Sequence, residues 1–183
     1  VYILPNLFTT ASLFTGFMSI IFAVSGRYDS AAWAILFSAL MDGLDGKVAR
    51  LTGTASQFGI EYDSLADCVA FGTAPAMLMW AWQLNSFGRM GVAVAFLSVA
   101  CGALRLARFN VGVATTSKRF FIGLPIPACG CALATFVLFR PYLPDWLAGQ
   151  LPYICLGLAF FLPLLMVSRV RYFSFKEYGF LRA

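Results

Sequence analysis

Six apolar segments, each close to the length that crosses a bilayer, govern what this chain can fold into. They cover residues 6–24, 30–51, 56–82, 91–109, 122–139 and 151–167, and a membrane helix needs about 20 mostly apolar residues. Hydrocarbon offers backbone N–H and C=O groups no partner, so such segments satisfy their own hydrogen bonds as helices. Charged residues make up 11% of the chain, against about a quarter in a soluble domain. The expected fold is an all-α integral membrane protein with six transmembrane helices. Short connections constrain it further. Thr52-Gly53-Thr54-Ala55 joins the second helix to the third, and so short a link makes the two antiparallel neighbours.

Basic residues fix the orientation. Lys47, Arg50, Arg105, Arg108, Lys118, Arg119, Arg169, Arg171, Lys176 and Arg182 lie in or beside the second and fourth connections or in the C-terminal tail; Arg27, Arg89 and Arg140 lie opposite. Positive charge collects on the cytoplasmic side. Both termini and the second connection are therefore expected in the cytoplasm, with the plasma membrane of a prokaryote as the setting. The net charge of +5 suits an anionic lipid surface, and no nucleic-acid partner is expected. The sequence begins at Val1 without a methionine, so a preceding segment is expected to have been trimmed, and no cleavable signal peptide is legible. No internal repeat divides residues 1–183, which read as one membrane domain. Histidine is absent, which removes the commonest zinc ligand and a common general base. Cys68, Cys101, Cys129, Cys131 and Cys155 sit in apolar segments at no metal-ligand spacing and read as reduced core residues.

Five of the eight acidic residues fall within 42–67. Ionised carboxylates beside hydrocarbon are costly and need a cation or a proton path. Side chains three and four apart share a helix face. On the second helix Asp42, Asp45, Gly46 and Ala49 therefore form one stripe, and on the third Ser56, Gly59, Asp63 and Asp67 form another. Each stripe carries carboxylates toward the membrane and small residues toward the cytoplasm. Carboxylate oxygens without histidine or thiolate suit hard cations such as Mg²⁺ or Mn²⁺, and four converging carboxylates can hold two. The small residues leave a slot for a ligand, and Arg50 beside it can pair with phosphate. Together these features describe a diphosphate site. Glu61 points off the stripe and is not a metal ligand on helix geometry; it engages a substrate ammonium or faces solvent.

Each piece has a plainer reading. A carboxylate pair three apart is often a solvated helix end, Gly46 and Gly59 are close-packing residues of a helix pair, and Arg50 is a snorkelling charge. Their coincidence on two matching stripes favours the site. A cation transporter is the rival from another class, because intramembrane acids mark ion paths. The acids cluster at one edge instead of along a span, and Arg50 opposes a cation route.

The arrangement Asp42-x-x-Asp45-Gly46-x-x-Ala49-Arg50, eight residues, then Gly59-x-x-x-Asp63-x-x-x-Asp67 resembles the signature of the CDP-alcohol phosphotransferases, with all eight fixed positions filled. The flanks resemble the phosphatidylserine synthase branch: Phe58-Gly-Ile-Glu-Tyr62, Leu104-Arg-Leu-Ala-Arg-Phe-Asn-Val111, Phe121-Ile-Gly-Leu-Pro-Ile-Pro-Ala128 and Pro5-Asn6-Leu7. That resemblance implies transfer of a phosphatidyl group from CDP-diacylglycerol to L-serine, with two divalent metals and a homodimer among membrane lipids. It makes Asp42, Asp45, Asp63 and Asp67 the metal ligands and Asp67 also the general base. It assigns Pro5, Asn6, Gly46, Ala49, Arg50, Ser56 and Gly59 to the CDP-lipid. Arg105, Arg108 and Lys118 are the candidates for the serine carboxylate. Glycerol phosphate or inositol phosphate is the alternative acceptor, and an inactive scaffold is disfavoured because every signature position is filled.

Overall fold

The computed structural model describes residues 3–52, 57–112, 120–168 and 171–173; a few side chains, those of Pro5, Ala49 and Arg50 among them, fall outside the description. Six long helices dominate: α1 (Ile3–Val24), α2 (Tyr28–Thr52), α3 (Gln57–Trp82), α4 (Arg89–Gly112), α5 (Ile126–Phe139) and α6 (Leu151–Val167). Single 3₁₀ turns follow α3 and α5, and one short α-turn, Asp145–Ala148, precedes α6. Apart from one short two-stranded ribbon, the described elements are helical, as the sequence predicts. Among the described residues three helical stretches, Asn6–Val24, Gln57–Trp82 and Arg89–Val111, are long and apolar enough to cross a membrane. The apolar helices Ile126–Tyr142 and Leu151–Val167 are shorter. α2 is long, but its acidic and basic residues lower its apolarity.

α1 lies lengthwise and antiparallel against α2. A seam of small hydroxyls joins them: Ser12 and Ser38 share a 2.7 Å hydrogen bond, and Ser19 Oγ donates to the Ala31 carbonyl at 2.9 Å. All three serines are buried. Helix pairs in lipid depend on small residues and hydroxyls of this kind, because hydrocarbon supplies no hydrophobic drive between them. At the opposite end of α2 from Asp42 and Asp45, Asp29 pairs with Arg140 at 2.9 Å.

α3 is the hub, in contact with α1, α2, α4, α5 and α6. It is not a uniform helix. Gln57–Asp67 is α-helical, Cys68–Thr73 is a π-turn, and Ala74–Trp82 returns to α-helix. Pro75 explains the change. Proline has no N–H, and its ring clashes with the carbonyl four residues back, so a regular helix cannot run through it. Widening the turn accommodates the ring: the Ala74 N–H bonds the Val69 carbonyl, five residues back. The wide turn pushes backbone outward, and three helices meet it with glycine. A Cβ on Gly16 of α1 would stand 2.6 Å from Ala70 Cα, and one on Gly130 of α5 would stand 3.1 Å from Phe71 Cα. A Cβ on Gly102 of α4 would stand 3.8 Å from Gly72 Cα and 2.7 Å from Ile126 Cδ1. The buried core spreads from this turn through Phe71, Leu78, Met79 and Ile126.

The fifth helix starts later than expected. The sequence reading began it at residue 122, but Phe120–Ile122 is a short strand, β1, paired antiparallel with β2 (Arg171–Phe173). After β1 the chain crosses the end of α6, where the Leu124 N–H bonds the Leu165 carbonyl at 3.2 Å. Gly123 makes that crossing with φ +83°, and a Cβ there would stand 2.3 Å from the Met166 carbonyl oxygen. Only glycine suits both demands. Pro125 then precedes the first residue of α5, with Pro127 in its first turn, where a missing N–H costs nothing.

Candidate functional site

The acids converge where α2 and α3 meet near their short connection. Carboxylate oxygens of Asp42, Asp63 and Asp67 all lie within 4.8 Å of one another. Like charges that close, half out of water, repel strongly unless a cation lies between them. Asp67 Oδ1 is buried and has no hydrogen-bond partner among the described residues. A buried anionic oxygen left unpaired is costly, and here it borders two further carboxylates. The donors are all oxygen, which fits a hard divalent cation such as Mg²⁺ or Mn²⁺. The residues present therefore fit a metal.

Asp45 stands beside this trio. Its charge acts on both Asp42 and Asp63, but its carboxylate is turned toward α1, where Thr9 Oγ1 donates a hydrogen bond to Asp45 Oδ2. The next residue, Thr10, reaches α3: its hydroxyl lies 3.0 Å from the Tyr62 hydroxyl, one residue from Asp63. Phe58 stacks on the Tyr62 ring at 5.9 Å.

Arg105 of α4 is a cation within electrostatic reach of Asp67. It is half-buried, and its Nε has no partner among the described residues. Arg108, three residues further along the same helix, is exposed while Arg105 is half-buried. Gly46 is exposed, and a Cβ there would meet nothing within 4 Å among the described residues. Gly59 is half-buried on α3. Asn6 is half-buried on α1, its carbonyl accepting from Thr10 Oγ1 at 2.7 Å. The side chains of Pro5, Ala49 and Arg50, and the residues Ser56 and Lys118, lie outside the described residues.

Glu61 is outside the acidic trio, as helix geometry requires. It is exposed and holds protein partners: Asn110 Nδ2 donates to Oε2 at 3.0 Å and Gln57 Nε2 to Oε1 at 3.2 Å. Asn110 Nδ2 also lies 3.2 Å from Ser64 Oγ. The Asn110 bonds pin the end of α4, the helix that carries Arg105, to α3. Neither Asn110 nor the Thr9–Thr10 pair stands out in the acidic window. The signal that locates Thr9 is the run Thr9, Ser12, Ser19, which puts hydroxyls on one face of an otherwise apolar helix.

Residues 2–167 match the family model of CDP-alcohol phosphatidyltransferase. Over 177 residues the chain is 48% identical to the CDP-diacylglycerol–serine O-phosphatidyltransferase of Helicobacter pylori strain J99, covering 96% of this chain and 74% of that one. It is 39% identical over 137 residues to an archaetidylserine synthase of Methanothermobacter thermautotrophicus, covering 74% and 58%. A protein of Methanocaldococcus jannaschii, also named CDP-diacylglycerol–serine O-phosphatidyltransferase, is 41% identical over 140 residues, covering 75% and 61%.

Proposed function

We propose the following reaction for this chain, which belongs to the CDP-alcohol phosphatidyltransferase family: transfer of a phosphatidyl group from CDP-diacylglycerol to L-serine, giving phosphatidylserine and CMP. The observation that carries it is the close trio Asp42, Asp63 and Asp67, together with the buried Asp67 Oδ1 that has no hydrogen-bond partner among the described residues. Asp42, Asp45, Asp63 and Asp67 hold two divalent ions, Mg²⁺ or Mn²⁺. When bound, such ions neutralise diphosphate charge and stabilise the departing CMP. The rest is the work of the side chains. Asp67 takes the proton of the serine hydroxyl as that oxygen bonds to the lipid-bearing phosphorus. The phosphoanhydride P–O bond breaks, and its electron pair leaves with CMP. An alcohol is a weak nucleophile at neutral pH, so a base held against it raises the rate.

The cytidine diphosphate lies along the slot at Gly46, with Pro5, Asn6, Ala49, Arg50, Ser56 and Gly59 around it. Arg105 receives the serine carboxylate, with Arg108 and Lys118 as outer charges. The chain forms one membrane domain of six spans, dimerises, and faces its acids and both termini to the cytoplasm across a prokaryotic plasma membrane. Relatives named as a CDP-diacylglycerol–serine O-phosphatidyltransferase and as an archaetidylserine synthase support serine as acceptor more firmly than any one lipid tail.

Purified protein with Mn²⁺ and CDP-diacylglycerol is expected to release CMP when serine is added, with phosphatidylserine as the lipid product. Release with glycerol phosphate or inositol phosphate alone overturns the acceptor, and no release with any acceptor returns the reading to a cation transporter. In the same assay Arg105→Ala should raise the KM for serine about 10- to 100-fold, the weight of a charged hydrogen bond. The KM for CDP-diacylglycerol should change far less. An unaltered serine KM removes Arg105 from the acceptor site.

A further inference from the structure

Thr9 of α1 is bound directly to a carboxylate of the acidic window. It is 3% exposed and Asp45 is 7% exposed, so the bond is sealed from water. Two anchors hold the donor in place. One turn further along α1, Ser12 and Ser38 exchange hydrogen bonds, with Ser38 Oγ donating to the Ser12 carbonyl at 2.8 Å. One residue along, Thr10 is tied to Tyr62. α1 therefore touches both acidic helices at once, through Thr9 on α2 and Thr10 on α3.

A carboxylate on a free helix turn samples several rotamers, and its ligation of a cation must fix one of them. A hydroxyl that donates to one oxygen fixes the rotamer beforehand and leaves the other oxygen to ligate, as outer hydrogen bonds do at metal sites generally. We propose that Thr9 is a positioning residue for the metal site: its hydroxyl holds Asp45 Oδ2 so that Oδ1 is presented to a divalent cation shared with Asp42, Asp63 and Asp67. The inference rests on the metal reading given above and adds to it a residue of α1, a helix that contributes no carboxylate of its own.

The test is Mn²⁺ binding to the full chain in detergent, read from the loss of the free Mn²⁺ resonance, without substrate or turnover. Thr9→Val keeps the shape and removes the donor; it should weaken Mn²⁺ binding about tenfold, the lower end of the range for lost outer hydrogen bonds. Thr9→Ser, which restores the hydroxyl, should bring the affinity back to within a factor of about two of the parent. The metal-free melting temperature of both variants is measured alongside. Thr9→Val binding Mn²⁺ as tightly as the parent overturns the inference while leaving the metal site intact. A lowered affinity that Thr9→Ser does not restore, with a matching drop in melting temperature, also overturns it, since the residue would then serve packing alone. A parent protein that binds no Mn²⁺ overturns the metal reading itself, and this inference with it.

Discussion

Asp67→Asn is expected to slow CMP release from CDP-diacylglycerol by about 10²- to 10⁴-fold, the range a positioned general base supplies. That loss corresponds to about 3–5 kcal/mol of barrier. Asparagine matches the size of aspartate and keeps one oxygen, so α3 and its packing are preserved. What disappears is the charge and the capacity to take a proton. The expectation rests on position. Asp67 Oδ1 is buried without a hydrogen-bond partner among the described residues, lies among three mutually close carboxylates, and has Arg105 within electrostatic reach. An acceptor whose carboxylate pairs with Arg105 brings its hydroxyl toward this residue.

A ligand and a base fail differently. If Asp67→Asn only weakened metal binding, raising Mn²⁺ would restore the rate. If the residue removes the serine proton, the rate stays low once the site is saturated. Single-turnover CMP release across a Mn²⁺ series separates the two. A near-normal rate at saturating metal removes Asp67 from the base role. Asp63→Asn and Asp42→Asn, by contrast, should respond to added Mn²⁺, because both belong to the cluster and neither is proposed to move a proton.

The spacing of the acids could be read directly: residues three and four apart share a face, and the short connection brings the two faces together. The chain could not say which carboxylates converge. Asp45 lies one turn from Asp42 on the same stripe, yet it stands outside the close trio and its Oδ2 accepts from Thr9, a contact that spans 36 residues of sequence. The π-turn had a visible cause in Pro75, but a proline in an apolar run is compatible with a kink, a break or a wider turn. Packing against Gly16, Gly102 and Gly130 accompanies the last of these. The pairing of Phe120–Ile122 with Arg171–Phe173 left no local trace, because three apolar residues before a helix look like its first turn. Glu61 lies outside the close acidic trio, as its spacing implies, but its partner Asn110 sits on another helix and no periodicity links them.

The largest structural effect should come from Gly16→Val, a substitution at none of the proposed site residues. A Cβ at Gly16 would stand 2.6 Å from Ala70 Cα and 2.8 Å from Ala70 Cβ. Neither atom belongs to a flexible side-chain end, so α1 itself must move away from the π-turn. Forcing methyl groups into a packed contact typically costs about 1–3 kcal/mol, seen as a lower melting temperature in detergent. Activity should fall further than stability does. Gly16 lies about two turns from Thr9 along α1, so a displaced helix carries the Asp45 donor with it, and about 1 Å of misplacement at a catalytic group can cost roughly 10²-fold. Ala70→Gly in the same protein removes one of the two clashing atoms and should recover part of both losses. Gly157→Ala on α6 is the control, since a Cβ there meets nothing within 4 Å. It should leave melting and CMP release unchanged or raise stability slightly through helix propensity. If Gly16→Val melts lower but turns over at the parent rate, the position of α1 does not set the geometry of the acids, and the π-turn contact serves folding alone.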